Sequence, residues 1–349
     1  MKQWFFTLTF SSLLIGCANI IPPSGGAKDS SAPLVENNYP EQNQTSYHGH
    51  TIEISFDEHI KLKEINEEFY ASPPLRAAPN FSSKNKTLSI DWEGESLKDS
   101  TTYVFHLGNS ITDYNEGNVL TNYSLQFSTG ETVDTLSLSG GIVDALTKSS
   151  EKGVFAALYI YNVSNSDSLL YLERPNYIAK TDENGDFHFP NLKDEQYVLF
   201  VLADEDRNLK FSLAEEFVGF HPKPISPGNE NITLKLFSEL TAADTISALA
   251  IDSLTEYGNL IVDSLPNTHH ILEVLKGKKV VKQLSASKRT LVDSLPTGNY
   301  QFRLITDDNQ NGKWDTGNLL KKRHPESITY YPEEVQLRAN WDLELIWKE

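Results

Sequence analysis

The feature that most constrains this chain is a recurring alternation of apolar and polar residues in short runs bounded by turn residues. Ile52, Ile54 and Phe56 alternate with Thr51, Glu53 and Ser55, and Leu88, Ile90 and Trp92 alternate with Ser89 and Asp91. Tyr103, Phe105 and Leu107 repeat the pattern, as do Tyr123, Leu125 and Phe127 ahead of Gly130. Successive side chains of a strand point to opposite faces, so each run predicts a strand with one buried face. A longer apolar stretch runs from Ala156 to Tyr161, and Tyr197 to Leu202 is apolar enough for a strand covered on both faces. Between them, Asn184-Gly185 supplies the positive φ of a tight hairpin. Trp341, Leu343, Leu345 and Trp347 predict a closing strand. Helical periodicity is weak, and Lys61 to Tyr70 is the stretch that reads as a short helix. The expected fold class is all-β, as three tandem antiparallel β-sandwiches.

A chain of 349 residues exceeds one comfortable core, which fits modules of about 100 residues. The first is expected over 33–130. Its Pro40, Phe56-Asp57-Glu58, Thr102-Tyr103-Val104, Asp113 with Gly117-Asn118, and closing Phe127-Ser128-Thr129-Gly130 resemble the S-layer-type (SbsA-like) bacterial Ig-like domain. The second, over 131–240, opens on Leu138-Ser139-Gly140-Gly141-Ile142-Val143-Asp144-Ala145 and carries the Asn184-Gly185 hairpin. It resembles the transthyretin-like, carboxypeptidase-regulatory-type sandwich, an accessory domain of those enzymes and not their catalytic body. The third, over 241–349, repeats the second: Tyr197 to Asn208 aligns with Tyr300 to Asn311, each an apolar strand entering an acidic loop.

Ahead of the modules stand a basic Lys2, an apolar run from Trp4 to Leu14, and Leu14-Ile15-Gly16-Cys17. The run is too short to span a bilayer. These residues resemble a bacterial lipobox, which implies a signal peptide over 1–16 and an acylated (palmitate-bearing) Cys17 as mature N-terminus. Several acyl chains on one residue anchor durably, where one chain holds marginally. Residues 17–32 are Pro-, Gly- and Ser-rich and read as a flexible tether. Ala18 in place of Asp implies, by the same resemblance, outer-membrane sorting, with the periplasmic or cell-surface face left open. Cys17 is the sole cysteine, so packing rather than disulfides must hold the modules. The whole pattern resembles Bacteroidetes-type lipoproteins.

The formal net charge of -18 excludes a nucleic-acid partner, which would need clustered Lys and Arg on phosphate. It is compatible with divalent cations. Asp307, Asn309, Asn311, Lys313 (through its carbonyl) and Asp315 occupy positions 1, 3, 5, 7 and 9 of a calcium loop, with Gly312 at the turn and Asn318 where a bidentate Glu is usual. The paralogous loop offers Asp204, Asp206, Asn208, Ser212 and Glu215 as a weaker set, with Leu209 replacing the glycine. A polar turn held by its own side chains is the alternative for both. No cofactor is required, and structural Ca2+ is the one the sequence suggests.

Asp-Ser/Thr triplets recur and resemble the Bacteroidetes-type O-glycosylation sequon, with Ser100, Thr135, Ser168, Thr245, Ser253, Ser264 and Ser294 as acceptors. Asp-Ser turns at strand starts are the competing explanation. Enzyme readings find little support. His50 and Glu53 mimic a metallocarboxypeptidase His-x-x-Glu pair, yet three residues apart on a strand they face opposite sides. No Gly-x-Ser-x-Gly, phosphate loop or His-Glu-x-x-His is present. The expectation is a non-catalytic outer-membrane lipoprotein, held to the membrane by its N-terminal lipid, acting as a structural spacer or docking module for envelope proteins. The alternative is capture of glycans or other ligands by Trp92, Tyr114, Trp314, Tyr330 and Tyr331, rings that more often serve as core or turn anchors, and a hydrolase is the least favoured class.

Overall fold

The computed structural model describes residues 28–162, 168–212, 215–228, 231–240, 246, 255–266 and 269–347. The first region comprises β1 (Val35–Tyr39), β2 (Thr51–Phe56), β3 (Ile60–Leu62), α1 (Ile65–Glu68), β4 (Tyr70–Ser72), β5 (Asn80–Lys84), β6 (Thr87–Asp91), β7 (Thr102–Gly108), β8 (Ile111–Asp113), β9 (Val119–Leu120) and β10 (Tyr123–Ser128). They form sheets ordered β1-β2-β6-β5, β10-β7-β4 and β3-β8-β9. The alternating residues do what their period demands: Ile52, Ile54, Phe56, Leu88, Ile90 and Trp92 bury against Phe105, Leu107, Leu125 and Phe127.

The helix expected over Lys61 to Tyr70 shrinks to the four residues of α1. Strand pairing claims its flanks, since Leu62 pairs with Ile111 and Tyr70 with His106. Glu64 enters α1 at φ 49 without a side-chain cap, so nothing local extends the turn. Asp113 explains its own neighbourhood. Its buried carboxylate accepts main-chain N–H groups from Glu116, Gly117 and Asn118 at 2.6, 3.0 and 2.7 Å. Burial pushes its pKa up, but these donors together hold it below the usual carboxylate value.

The second region holds β11 (Leu136–Asp144), β12 (Phe155–Ile160), α2 (Leu169–Leu172), β13 (Tyr177–Lys180), β14 (Asp186–Leu192), β15 (Tyr197–Ala203), β16 (Phe217–Phe220) and β17 (Asn231–Ser238). They join in one seven-stranded sheet, β13-β12-β15-β16-β17-β11-β14. Its halves share a core in which Leu138, Ile142, Phe187, Phe189 and Leu234 meet Ala156, Leu158, Tyr197, Leu199 and Val201. Tyr197 to Leu202 is buried on both faces, because Val198, Phe200 and Leu202 belong to a second cluster outside that core. The hairpin before β14 turns at Gly185, φ 79, with the Asp182 carboxylate accepting N–H from Asn184 and Asp186.

The third region repeats this plan. It holds β18 (Tyr257–Asp263), β19 (His270–Lys276), β20 (Lys279–Ala286), β21 (Arg289–Pro296), β22 (Gly298–Thr306), β23 (Ile328–Tyr330), β24 (Val335–Leu337) and β25 (Asp342–Ile346). Here β18 pairs antiparallel with β21 and parallel with β25, as β11 pairs with β14 and β17. Likewise β19 lies between β20 and β22, as β12 lies between β13 and β15. Even a detail recurs: the Tyr197 and Tyr300 hydroxyls donate to the carbonyls of Lys193 and Pro296, at 3.0 and 2.7 Å. The repeat departs where Val218 pairs with Phe237 to fuse the second region into one sheet. In the third region β23 is not joined to β25, which leaves sheets of three and five strands. The chain is thus all-β, built of packed sandwich layers. Among the described residues no helix is long and apolar enough to cross a membrane.

Candidate functional site

The two acidic loops after β15 and β22 are built on one plan. Asp204 accepts main-chain N–H groups from the fourth and fifth residues after it, Asn208 at 3.2 Å and Leu209 at 2.8 Å. Asp307 does the same with Asn311 at 3.1 Å and Gly312 at 2.9 Å. A glutamate ahead of the next strand closes each loop. Glu216, fully buried, accepts N–H from Glu205 and Ser212 at 3.3 and 2.9 Å. Glu326 accepts N–H from Asp308 and Asp315, both at 2.9 Å. Gly312 sits at φ 78, and Leu209 adopts the same left-handed backbone at φ 60. That costs a branched residue about 1 kcal/mol or more, which packing of the Leu209 side chain against a buried cluster offsets.

In the first loop the carboxylates of Asp204, Asp206 and Glu216 have oxygens within 4.8 Å of one another, the sole such group of three among the described residues. Asn208 donates to Asp206 at 2.7 Å and to the Ser212 hydroxyl at 2.8 Å, which places both beside that group. Glu215 does not join it; its side chain is exposed, and the next residue takes its place. In the second loop the Asn309 and Asn311 amides both donate to the Asp315 carboxylate, and the Lys313 N–H reaches Asn311 at 3.0 Å. Asn318 lies away from them, exchanging main-chain bonds with Arg323. Burial raises the pKa of Asp204, with Asp206 and Glu216 adding to the rise against the pull of its N–H donors. Burial likewise raises Glu326, with Asp315 and Asp307 contributing. Oxygen-rich loops of this kind suit a hard cation.

Both closing glutamates escape a count by calcium-loop position, because the loops differ in length. The signal that finds them is an acidic residue one or two positions before the next strand: Glu216 directly precedes β16 at Phe217, and Glu326 stands two residues before β23 at Ile328.

Each loop also reaches the module before it. Arg207 donates to the Asn66 carbonyl at 3.4 Å and lies 3.9 Å from Glu67. Close by, Ile178 N–H donates to the Ser72 hydroxyl at 3.1 Å, and the Arg174 guanidinium donates to the carbonyls of Leu75 and Arg76 at 2.7 and 2.9 Å. At the other junction, Thr316 donates to the Ser238 carbonyl at 2.7 Å, and the Leu319 N–H donates to Glu239 at 2.6 Å. Trp314, Leu319, Ile271, Ile305 and Ile328 bury in one cluster with Phe200, Phe220 and Phe237 of the preceding module. Gly317 fits against the Phe237 ring, where a Cβ would lie 2.5 Å from ring carbons. Arg303 and Glu273, each 3% exposed, form a 2.5 Å ion pair on this side of the third module. Arg303 extends to the Tyr330 hydroxyl, which donates to the Leu146 carbonyl at 3.2 Å.

The aromatics expected to stack on sugars divide. Trp92 and Trp314 are buried at 3% and 4% exposure, the latter donating its indole N–H to the Glu326 carbonyl at 3.1 Å. They are core residues, since a large ring gains more by full burial than by lining a surface. Tyr330 is spent on the junction, Tyr331 packs on Trp347, and Tyr114 stands exposed. His50 and Glu53 are exposed, and neither belongs to a group of three metal-ligating side chains among the described residues. Ser139 and His188 form a 2.7 Å cross-strand bond on an exposed sheet face, through Nδ1 and with no carboxylate hydrogen-bonded to the ring among the described residues.

Among the proposed glycan acceptors, Ser100, Thr135, Ser168, Ser264 and Ser294 are exposed, whereas Thr245 and Ser253 lie outside the described residues, as does Cys17. Ser100, Ser264 and Ser294 take left-handed φ of 48, 63 and 54, each just before a buried Thr101, Leu265 or Leu295. The triplet therefore has a local structural use: a kink that exposes the hydroxyl and drives the next side chain inward.

Residues 29–129 match the family of bacterial Ig-like domains. The first module is therefore of that class, beginning a few residues earlier than its sequence motifs alone mark. No curated protein matches the chain. Among solved structures, it is similar to the keratinolytic, subtilisin-related enzyme fervidolysin from Fervidobacterium pennivorans, at 15% identity over 51% of this chain and 26% of that one, TM-score 0.21. It is also similar to the N-terminal part of the bacterial S-layer protein SbsC, at 12% identity over 60% and 44%, TM-score 0.21. A third is the Bacillus anthracis TIE protein, at 13% identity over 93% and 59%, TM-score 0.18. This chain spans less than two thirds of each of them, and none lends it a function.

Proposed function

We propose that this chain is a non-catalytic outer-membrane lipoprotein whose three sandwich modules act as a structural spacer or docking unit in the cell envelope. The observation that carries the reading is the built junction between the second and third modules, where a continuous apolar cluster and the hydrogen bonds of Thr316, Leu319 and Tyr330 join sandwiches that would otherwise swing freely. A spacer transmits position only if its joints are fixed. The Ig-like first module is compatible with this role, and the lipobox-like Leu14-Ile15-Gly16-Cys17 supplies the anchor. The membrane partner is reached through acylated Cys17, and an envelope protein is the docking partner.

Two refinements belong to the same reading. A structural Ca2+ would bind Asp204, Asp206 and Glu216 with Asn208 and Ser212 alongside, and less strongly the Asp307, Asn309, Asn311, Lys313 and Asp315 loop, stiffening both junctions by binding the folded form alone. O-linked sugars on the exposed Ser100, Thr135, Ser168, Ser264 and Ser294 would shield strand edges.

Metabolic labelling with an alkyne fatty acid tests the anchor: the wild-type chain should carry label and fractionate with outer membranes, and Cys17→Ala should lose both. Label-free wild-type protein in the soluble fraction would defeat the proposal. For the metal, calcium should raise the melting temperature of the wild type and less so that of Asp204→Asn; equal response, or none, would remove it.

A further inference from the structure

Between the first and second modules lies a cavity of about 570 Å3, within the range of small-molecule sites. Phe69, Tyr70 and Phe81 line it from the first module and Phe155 from the second. Their rings pack edge to face, Phe69 on Phe81 at 5.0 Å and Tyr70 on Phe155 at 5.9 Å, so the apolar surface is formed before any ligand arrives. Ala71, Pro74, Leu75 and Ile178 continue it.

The same walls carry Arg76, Arg174, Lys180 and Arg207. Arg174, Lys180 and Arg207 are held by main-chain carbonyls, those of Leu75 and Arg76, of Glu67, and of Asn66. Carbonyl acceptors fix a cation in place and leave its charge intact. The lining carboxylates are Glu67, 3.9 Å from Arg207 with both well exposed, and Asp204, which is committed to the N–H groups of Asn208 and Leu209. The Glu95 carboxylate accepts the Arg76 main-chain N–H. Even with Glu95 included, cations outnumber carboxylates here, in a chain whose net charge is -18. A local reversal of sign against such a background focuses anions onto the cleft.

We infer that this junction cleft binds a small organic anion, a carboxylate or sulfonate carried on an aromatic or branched aliphatic body. The body would lie on Phe69, Phe81 and Phe155, and the anion would meet the Arg76 and Arg207 guanidinium groups, whose forked donors suit planar and tetrahedral oxyanions. The inference stands apart from the spacer reading, since neither lipidation nor stiffness requires a ligand here.

Isothermal titration calorimetry of the full chain with naphthalene-2-sulfonate as probe tests it, with 2-naphthylmethylammonium as the charge-reversed control. The anion should bind saturably at one site and at least about tenfold tighter than the cation. Arg76→Ala and Arg207→Ala should each weaken it about tenfold, the worth of one charged hydrogen bond. Lys235→Ala, outside the cleft, should leave it unchanged, and melting curves should show every variant folded. Equal binding of both probes, undiminished binding to the folded Arg76→Ala/Arg207→Ala double variant, or no saturable heat up to millimolar probe would overturn the inference. So would a capped Phe-containing acidic hexapeptide that binds where the sulfonate does not, which would point to a protein partner.

Discussion

The two junctions of this molecule are made by paralogous loops, yet they differ in kind. The Asp307 loop, with Trp314 and Gly317, presses into the second module and packs a buried apolar cluster around Phe220 and Phe237, beside the Arg303–Glu273 pair. The Asp204 loop meets the first module chiefly through exposed Arg207 and leaves an open, cation-lined cleft. One loop plan has therefore been used to bury large apolar side chains at one joint and to frame a wide, cation-lined cleft at the other. The two loops part beyond their shared Asp and Asn residues: the longer third-module loop carries Trp314 and Leu319 into the neighbour's core, whereas the shorter loop keeps Leu209 for its own edge.

The largest effect should come from breaking the buried ion pair that the third module holds beside its joint. Arg303→Ala takes the guanidinium away from the buried Glu273 carboxyl, and should cost about 3–5 kcal/mol in chemical denaturation. Arg207→Ala, at the open joint, should cost less than about 1 kcal/mol by the same assay, because both members of its ion pair with Glu67 are exposed. Similar costs for the two would erase the distinction.

Acid should separate the joints next. Each has a histidine stacked on an aromatic ring, His106 on Tyr70 at 4.3 Å and His324 on Phe220 at 4.2 Å. Burial, with His188 nearby, holds the His106 pKa down at about 4, and burial with Lys235 and His221 lowers that of His324. A histidine depressed in the folded state stabilises fully above its unfolded pKa of about 6.5, and that contribution drains as pH falls toward the folded value. For His106 the loss between pH 6.5 and 4 should approach about 3 kcal/mol. The difference in stability between wild type and His106→Phe, measured across that range, should show it; parallel pH profiles would refute it.

A smaller effect tests the shared plan itself. Glu216→Ala and Glu326→Ala each leave two main-chain N–H groups without their acceptor, and both should lose about 1–3 kcal/mol in urea titrations. A loss at one loop and none at the other would mean that the equivalence is topological only.

Much of the fold was legible because a strand writes its buried face into the sequence every second residue, as Ile52, Ile54 and Phe56 do, and because Tyr197 to Asn208 and Tyr300 to Asn311 repeat an apolar strand with its loop. The junctions were not, since a residue buried by another module obeys no local period: nothing local to Trp314 decides between a core anchor and a ring that stacks on sugar. The closing glutamates were missed for a related reason. Calcium-loop spacing counts residues along one loop, whereas Glu216 and Glu326 are placed by where the next strand begins. The Asp-Ser triplets were visible as a pattern, but their left-handed serines at 100, 264 and 294 emerge only from the backbone.

The central claim is that the second and third modules are one mechanical body. Differential scanning calorimetry of the wild type beside Arg303→Ala addresses it most directly. The two modules should melt in a single transition in the wild type, with the first module separable from them, and Arg303→Ala should lower the shared transition as a whole. Three independent transitions, with the substitution moving the third module's alone, would contradict it.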